Sequence, residues 1–152
     1  MSKEEFKEKL AVTFTSAAFD ESGQWLNMTV PAAEWLNVAS DLRVLEGAPF
    51  DYMFCLTCVD WKTKLTMVYH LECMQTKDIV VVKADLDRNN PEIESVSYIW
   101  RTAEFHEREV YELFGVKFLN HPDLRLLILP EGWEGRNPMR KDFEDPVNMI
   151  KL

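Results

Sequence analysis

The sequence predicts an α+β domain: a mostly antiparallel sheet with helices packed on it. Three observations carry that reading. Stretches rich in β-branched and aromatic residues come in groups, the polar links between them are short, and the stretches separating the groups carry apolar residues at three-to-four spacing. The resulting order is αββαβββα, followed by an irregular tail. Residues 1–115 read as the α+β core and residues 116–152 as an extended C-terminal arm.

The elements follow in order. Residues 3–10 are a short charged helix. Val12 to Phe19 and Gln24 to Val30 read as two strands around the turn Asp20-Glu-Ser-Gly23, a hairpin signature. Pro31 suits the first position of a helix whose Trp35, Val38, Leu42 and Leu45 share one face, and Gly47-Ala-Pro49 stops it. Phe50–Val59, Leu65–Met74 and Asp78–Ala84 are strand candidates, and their short polar turns make antiparallel neighbours. Asp85 to Asn90 is a loop, and Pro91 opens the next helix. Ile93, Val96, Trp100, Ala103, Glu107, Val110 and Phe114 then form one continuous face, with a break allowed where Thr102 can cap a second helix. Gly115 is a natural terminator.

Beyond Gly115 the periodicity ends. Pro122, Pro130, Pro138 and Pro146 exclude a long helix and a central strand. Phe118, Leu124, Leu126, Leu127, Leu129, Trp133, Met139 and Phe143 still need burial. A structureless segment of this length is uncommon inside a compact domain, so the arm is expected to lie against partner subunits.

Composition narrows the function. With 17 basic against 26 acidic residues the net charge is −9, which argues against nucleic acid and anionic membrane surfaces as partners. No apolar run approaches the roughly 20 residues of a membrane span. The charged N-terminus lacks the apolar stretch of a signal peptide, and three cysteines fit a reduced cytoplasmic compartment.

Glu107 is the oddest residue on the apolar helical face, because an unpaired buried carboxylate is very costly. Arg125, Arg140 and Lys141 of the tail are the expected partners of Glu107 and Glu109, an ion-pair clamp; paired acid/base carboxylates are the catalytic alternative. His121 is held extended by Pro122. It reads as a turn residue or as a group that titrates near neutral pH. Arg140 is the better interface anchor of the Arg140-Lys-Asp142 cluster. Cys55, Cys58, His70 and Cys73 have the residue types of a zinc site, but they sit inside strand candidates rather than on tight turns. A stand-alone zinc-binding adaptor is the competing reading. Phosphate-loop, dinucleotide and nucleophile-elbow motifs are not found in the sequence.

Glu107-Arg-Glu109, His121-Pro-Asp-Leu-Arg125, Leu129-Pro, Trp133-Glu-Gly135 and Arg140-Lys-Asp142 together resemble the 30 kDa, or C-type, subunit of respiratory complex I. The resemblance covers residues of about 100–143. Leu126, Met139 and the turn Gly135-Arg-Asn-Pro138 depart from the family pattern. It implies a non-redox structural subunit of the peripheral arm of proton-translocating NADH:quinone oxidoreductase, at the cytoplasmic face of the inner membrane. Its partners there are the D-type subunit, the one that holds the terminal iron–sulfur cluster, and other peripheral-arm subunits. It implies no cofactor in this chain, with NAD, FMN, iron–sulfur clusters and quinone in the parent complex. Glu107, Arg108, Glu109, His121, Arg125, Arg140, Lys141 and Asp142 carry over as assembly residues, with no catalytic residue. Equivalent arm subunits of membrane-bound hydrogenases and ferredoxin-dependent complexes share the resemblance.

Overall fold

A computed structural model describes residues 2–149; residue 1 and residues 150–152, the outermost residues of the core and arm segments, lie outside the described residues. The order is α1 (Lys3–Thr13), β1 (Ala18–Asp20), β2 (Leu26–Thr29), α2 (Trp35–Arg43), β3 (Tyr52–Asp60), β4 (Lys64–Glu72), β5 (Ile79–Asp87), β6 (Glu92–Glu94), α3 (Ala103–Phe114) and β7 (Lys117–Leu119). Five strands form one sheet in the order β1-β2-β5-β4-β3, antiparallel except where β2 runs parallel to β5. The α+β class is as the sequence predicts.

Alternation along the strands makes one face apolar. Met53, Leu56 and Cys58 of β3, Leu65, Met67, Tyr69 and Leu71 of β4, and Val80, Val82, Ala84 and Leu86 of β5 join a single core. Phe6 and Leu10 of α1, Trp35, Val38, Ala39 and Leu42 of α2, and Ala103, Val110 and Phe114 of α3 complete it. Helix spacing of three and four places those residues on one stripe of each helix. Trp35 and Tyr69 meet at its centre, ring centroids 4.4 Å apart.

Three expectations are corrected. The strand expected from Val12 is the end of α1, which the Ser2 and Glu5 capping box starts and which runs on to Thr13; only Ala18–Asp20 pairs with β2. Pro91 opens β6, not a helix. Its parallel partner β7 lies in the tail, where no strand period is legible, with Ile93 opposite Phe118. The face drawn from Ile93 to Phe114 is therefore helical only from Ala103 onward. Residues 95–97 stay out of the helix, so their polar groups are available to the buried side chain of Glu107.

Thr102 does stand at the start of α3, but its hydroxyl donates to the Met53 carbonyl at 2.8 Å rather than capping the helix. Gly115 ends α3 at φ +77°, and a Cβ there would lie 2.6 Å from Asn137 Oδ1. Gly115→Ala is expected to cost about 1–3 kcal/mol through backbone strain and displacement of Asn137, read as a lowered urea midpoint with an unchanged slope.

Candidate functional site

The last third of the chain lies against α3, and successive turns of that helix do different work. Val110 and Phe114 face the core, while Arg108 and Glu112, four residues apart, share a second stripe turned to the tail. Arg108 Nε donates to the Arg125 carbonyl at 3.1 Å and Nη2 to the Leu126 carbonyl at 2.7 Å. The Glu112 carboxylate accepts the next three amides: Leu127 at 2.8 Å, Ile128 at 3.0 Å and Leu129 at 3.1 Å. One cation thus takes two carbonyls and one anion takes three N–H groups, over five consecutive residues. The Glu112 residue is 1% exposed and Arg108 7%. Charge-assisted bonds of this kind each contribute about 1.5–3 kcal/mol net, which offsets the desolvation of two buried charges.

A second anchor sits at the C-terminal end of α3. Arg140 Nε donates to the Phe114 carbonyl at 2.7 Å, and the Met139 N–H donates to the Leu113 carbonyl at 3.0 Å. Both carbonyls lie in the last turn, which lacks intrahelical partners, and a cation is favourable there. A third anchor is Asp60 at the end of β3. Its carboxylate accepts Arg88 Nε and Nη2, each at 2.9 Å, and the amides of Lys62 at 2.8 Å and Lys141 at 2.9 Å. The Arg88 guanidinium holds that carboxyl well below the usual carboxylate range. Arg88 also bonds Asp142 at 2.9 Å.

The expected ion pairs are not the ones formed. Glu107 does not meet Arg125, Arg140 or Lys141. Its oxygens accept the Ser95 hydroxyl at 2.6 Å and the Val96 N–H at 2.8 Å, and His121 Nε2 lies 3.8 Å away. Burial pushes the Glu107 carboxyl up to about 7. Arg125 pairs with its neighbour Asp123 at 2.9 Å and points largely into solvent, and the Lys141 ammonium lies 5.8 Å from the Trp61 ring centroid. Glu109 is half-exposed on the third side of α3. The physical reason is that an irregular segment has unpaired peptide groups, and satisfying those outweighs joining side-chain charges to one another.

The candidate zinc residues do not converge. Cys58 and Cys73 face the core, whereas His70 lies on the opposite face, its ring 5.7 Å from Trp25 and 5.5 Å from Phe54. Sequence reasoning misses Glu112, Asp60, Arg88, Ser95 and Asn137. Arg108 and Glu112 at i,i+4 on a stripe separate from the apolar one is the available signal for the first of these.

The buried charges of α3 thus hold the irregular tail against the core. Residues 28–147 match the family described as respiratory-chain NADH dehydrogenase, 30 Kd subunit. The chain belongs to that family. The C-type subunit of NADH-quinone oxidoreductase from Chlorobium phaeobacteroides is 39% identical over 137 residues, 84% of this chain and 79% of that protein. The combined C/D polypeptide of NADH-quinone oxidoreductase from Phocaeicola vulgatus is 42% identical over 113 residues, 73% of this chain but 22% of its own length. The C-type subunit of F(420)H(2) dehydrogenase from Methanosarcina mazei is 41% identical over 97 residues, 62% of this chain and 61% of that protein. The chain therefore spans about a fifth of the Phocaeicola relative. Among solved structures, the archaeal membrane-bound sulfane sulfur reductase contains a chain matching at TM-score 0.78 and 28% identity, over 93% of this chain and 85% of that one. The trypsin-resistant fragment (1-134) of Nqo5 matches in fold at TM-score 0.71 and 22% identity, over 81% of this chain and all of that one.

Glu112→Ala strands three amides and is expected to cost about 2–4 kcal/mol, while Glu112→Gln, which keeps one acceptor oxygen, costs less. Urea denaturation ranks the two. Trypsin cleavage after Arg125 should accelerate in the same order, before the core unfolds.

Proposed function

We propose that the chain is a non-redox structural subunit of the peripheral arm of a proton-translocating NADH:quinone oxidoreductase, where it supports the quinone-reducing module. The observation that carries this is the family match over residues 28–147, a span that takes in the whole α3–tail clamp. The family's charged motif is used here for architecture: Arg108 and Arg140 bond backbone carbonyls, and His121 bonds the Glu104 carbonyl. In this reading NAD, FMN, iron–sulfur clusters and quinone are bound by other subunits, and electrons pass from NADH to quinone beside this chain rather than through it.

The D-type subunit is the first expected neighbour. The Phocaeicola relative's name joins C and D, and the two parts of one polypeptide stay together. The holder of the terminal iron–sulfur cluster and the rest of the peripheral arm follow from the same assignment. No helix among the described residues is long and apolar enough to cross a membrane; in this reading partner subunits hold the chain at the cytoplasmic face of the inner membrane. A second reading keeps the architecture and changes the donor. It is favoured by the Methanosarcina relative, named for F(420)H(2), and by the likeness to the archaeal sulfane sulfur reductase.

The test is affinity purification of the tagged chain from membranes solubilised in mild detergent, followed by mass spectrometry. The D-type subunit, iron–sulfur subunits, membrane subunits and an NADH-binding flavoprotein are the expected companions; a different electron-input subunit in place of the flavoprotein selects the second reading. Recovery of the chain alone from the soluble fraction overturns both. Arg125→Ala removes an exposed side chain that bonds only locally, so the isolated chain should keep its stability within about 0.5 kcal/mol. The yield of assembled complex should nonetheless fall, because Arg is a common interface hot spot.

A further inference from the structure

Helices α1, α2 and α3 pack on one face of the five-stranded sheet, and the opposite face is not polar. Its outward positions include Thr57 and Val59 of β3, Thr66 and Val68 of β4, and Val81 of β5. An antiparallel sheet with one solvated face normally alternates to polar residues there. Val68 and Val81 are 8% and 5% exposed, yet they stand apart from the core cluster. Longer side chains rise around them and leave a trough of about 330 Å³.

A tryptophan closes each end of the trough. Trp25, just before β2, stands edge-on to His70 and Phe54, with ring centroids 5.7 Å and 6.2 Å away. Trp61 stands in the β3–β4 turn. Its Nε1–H donates to the Thr66 hydroxyl at 3.1 Å, and that hydroxyl donates to Asp85 at 2.7 Å. Both rings are therefore held in place before anything docks. Their contacts on β4, His70 and Thr66, are four residues apart, about 13 Å at the rise of a strand. A helix with its side chains is about 10–12 Å across, so the gap takes one helix. Trp61 is 54% exposed and has a free flank to offer it.

The charges around the trough select its occupant. Lys83 of β5 is the one Lys, Arg, Asp or Glu in the lining. The nearby acids already have partners: Asp20 accepts the Ser22 N–H and hydroxyl, and Asp85 accepts Lys64 and Thr66. Among the described residues, no ion pair within 4.0 Å involves Lys83. The tail anchor at Asp60 sets a second cation, Lys141, 5.8 Å from the Trp61 ring centroid. A chain of net charge −9 thus presents unpaired basic groups beside an apolar floor. We propose that the trough seats an amphipathic helix of a neighbouring arm subunit, with its apolar stripe on Val59, Val68 and Val81 and an Asp or Glu of that stripe paired with Lys83. Side chains at three-to-four spacing supply such a stripe. Repulsion between two chains of −9 disfavours a second copy in the same place. The inference rests on the arm-subunit role proposed above.

The test places photoreactive p-benzoylphenylalanine at Trp61, one aromatic ring for another, in the full tagged chain. The membrane complex is irradiated and the joined peptide is sequenced by mass spectrometry. The expected adduct is a peptide of another arm subunit with apolar residues at three-to-four spacing and an Asp or Glu among them. Lys83→Glu should then lower the share of chain recovered in the complex about fivefold, and changing the partner's carboxylate to Lys should restore it to within about twofold. An unchanged urea midpoint of isolated Lys83→Glu separates lost docking from lost folding; if the midpoint falls, the partner's carboxylate→Lys change alone should lower recovery. An assembled complex without an adduct, an adduct to a second copy of this chain, a joined peptide lacking the stripe or the acid, or full recovery of both charge variants overturns the docking and leaves the arm-subunit role standing. Recovery of the chain alone from the soluble fraction removes that role and the docking with it.

Discussion

One carboxylate sets the course of the last third of the chain. Glu112 points out of α3 with almost no exposure and gathers the amides of Leu127, Ile128 and Leu129. Three successive N–H groups converging on one anion fix the backbone direction of that stretch. Its side chains then have to turn the other way, which is why Leu127 and Ile128 stay exposed in a chain that buries most of its aliphatic residues. The position of this apolar knuckle follows from a buried charge, not from hydrophobic burial.

The same logic recurs along the tail. Strands satisfy their peptide groups with ladders and helices satisfy theirs internally, but a segment interrupted by prolines can do neither. Charged side chains of the core supply the missing partners: Arg108 for two carbonyls, Asp60 for the Lys141 amide, and Arg140 in return for the open end of α3. Each is strong because it is charge-assisted and shielded from water. The helix is therefore both the edge of the core and the spine of the arm. That dual role fits a subunit whose task, in the function proposed above, is to hold neighbours in register.

The legible parts of the sequence are those with a period. The hairpin at Ser22-Gly23, the face of α2, the three long strands and the stop at Gly115 all have local causes, and the structure has them close to where the pattern puts them. The stretch after Pro91 misleads because Ile93, Val96 and Trp100 keep helical spacing by coincidence; the partner of β6 is β7, more than twenty residues away, and non-local pairing leaves no local trace. Glu107 is legible as a carboxylate needing partners, but the partners are not, since Ser95 and the Val96 amide carry no charge to attract attention. Glu112 leaves only its i,i+4 spacing from Arg108 as a signal, which fails to single it out for a simpler reason. In a helix crowded with Glu and Arg, burial alone distinguishes the residue that matters, and burial there is decided by the tail.

The claim that carboxylate-to-backbone bonds position the arm can be tested on a single atom. Replacing the Leu127 amide with an ester by semisynthesis removes the N–H that Glu112 accepts at 2.8 Å and leaves every side chain in place. The expected result is a loss of about 1.5–3 kcal/mol in urea denaturation, shrinking sharply when Glu112 is already Gln. An ester chain as stable as the amide chain, or a loss of equal size with and without the Glu112 carboxylate, would contradict it.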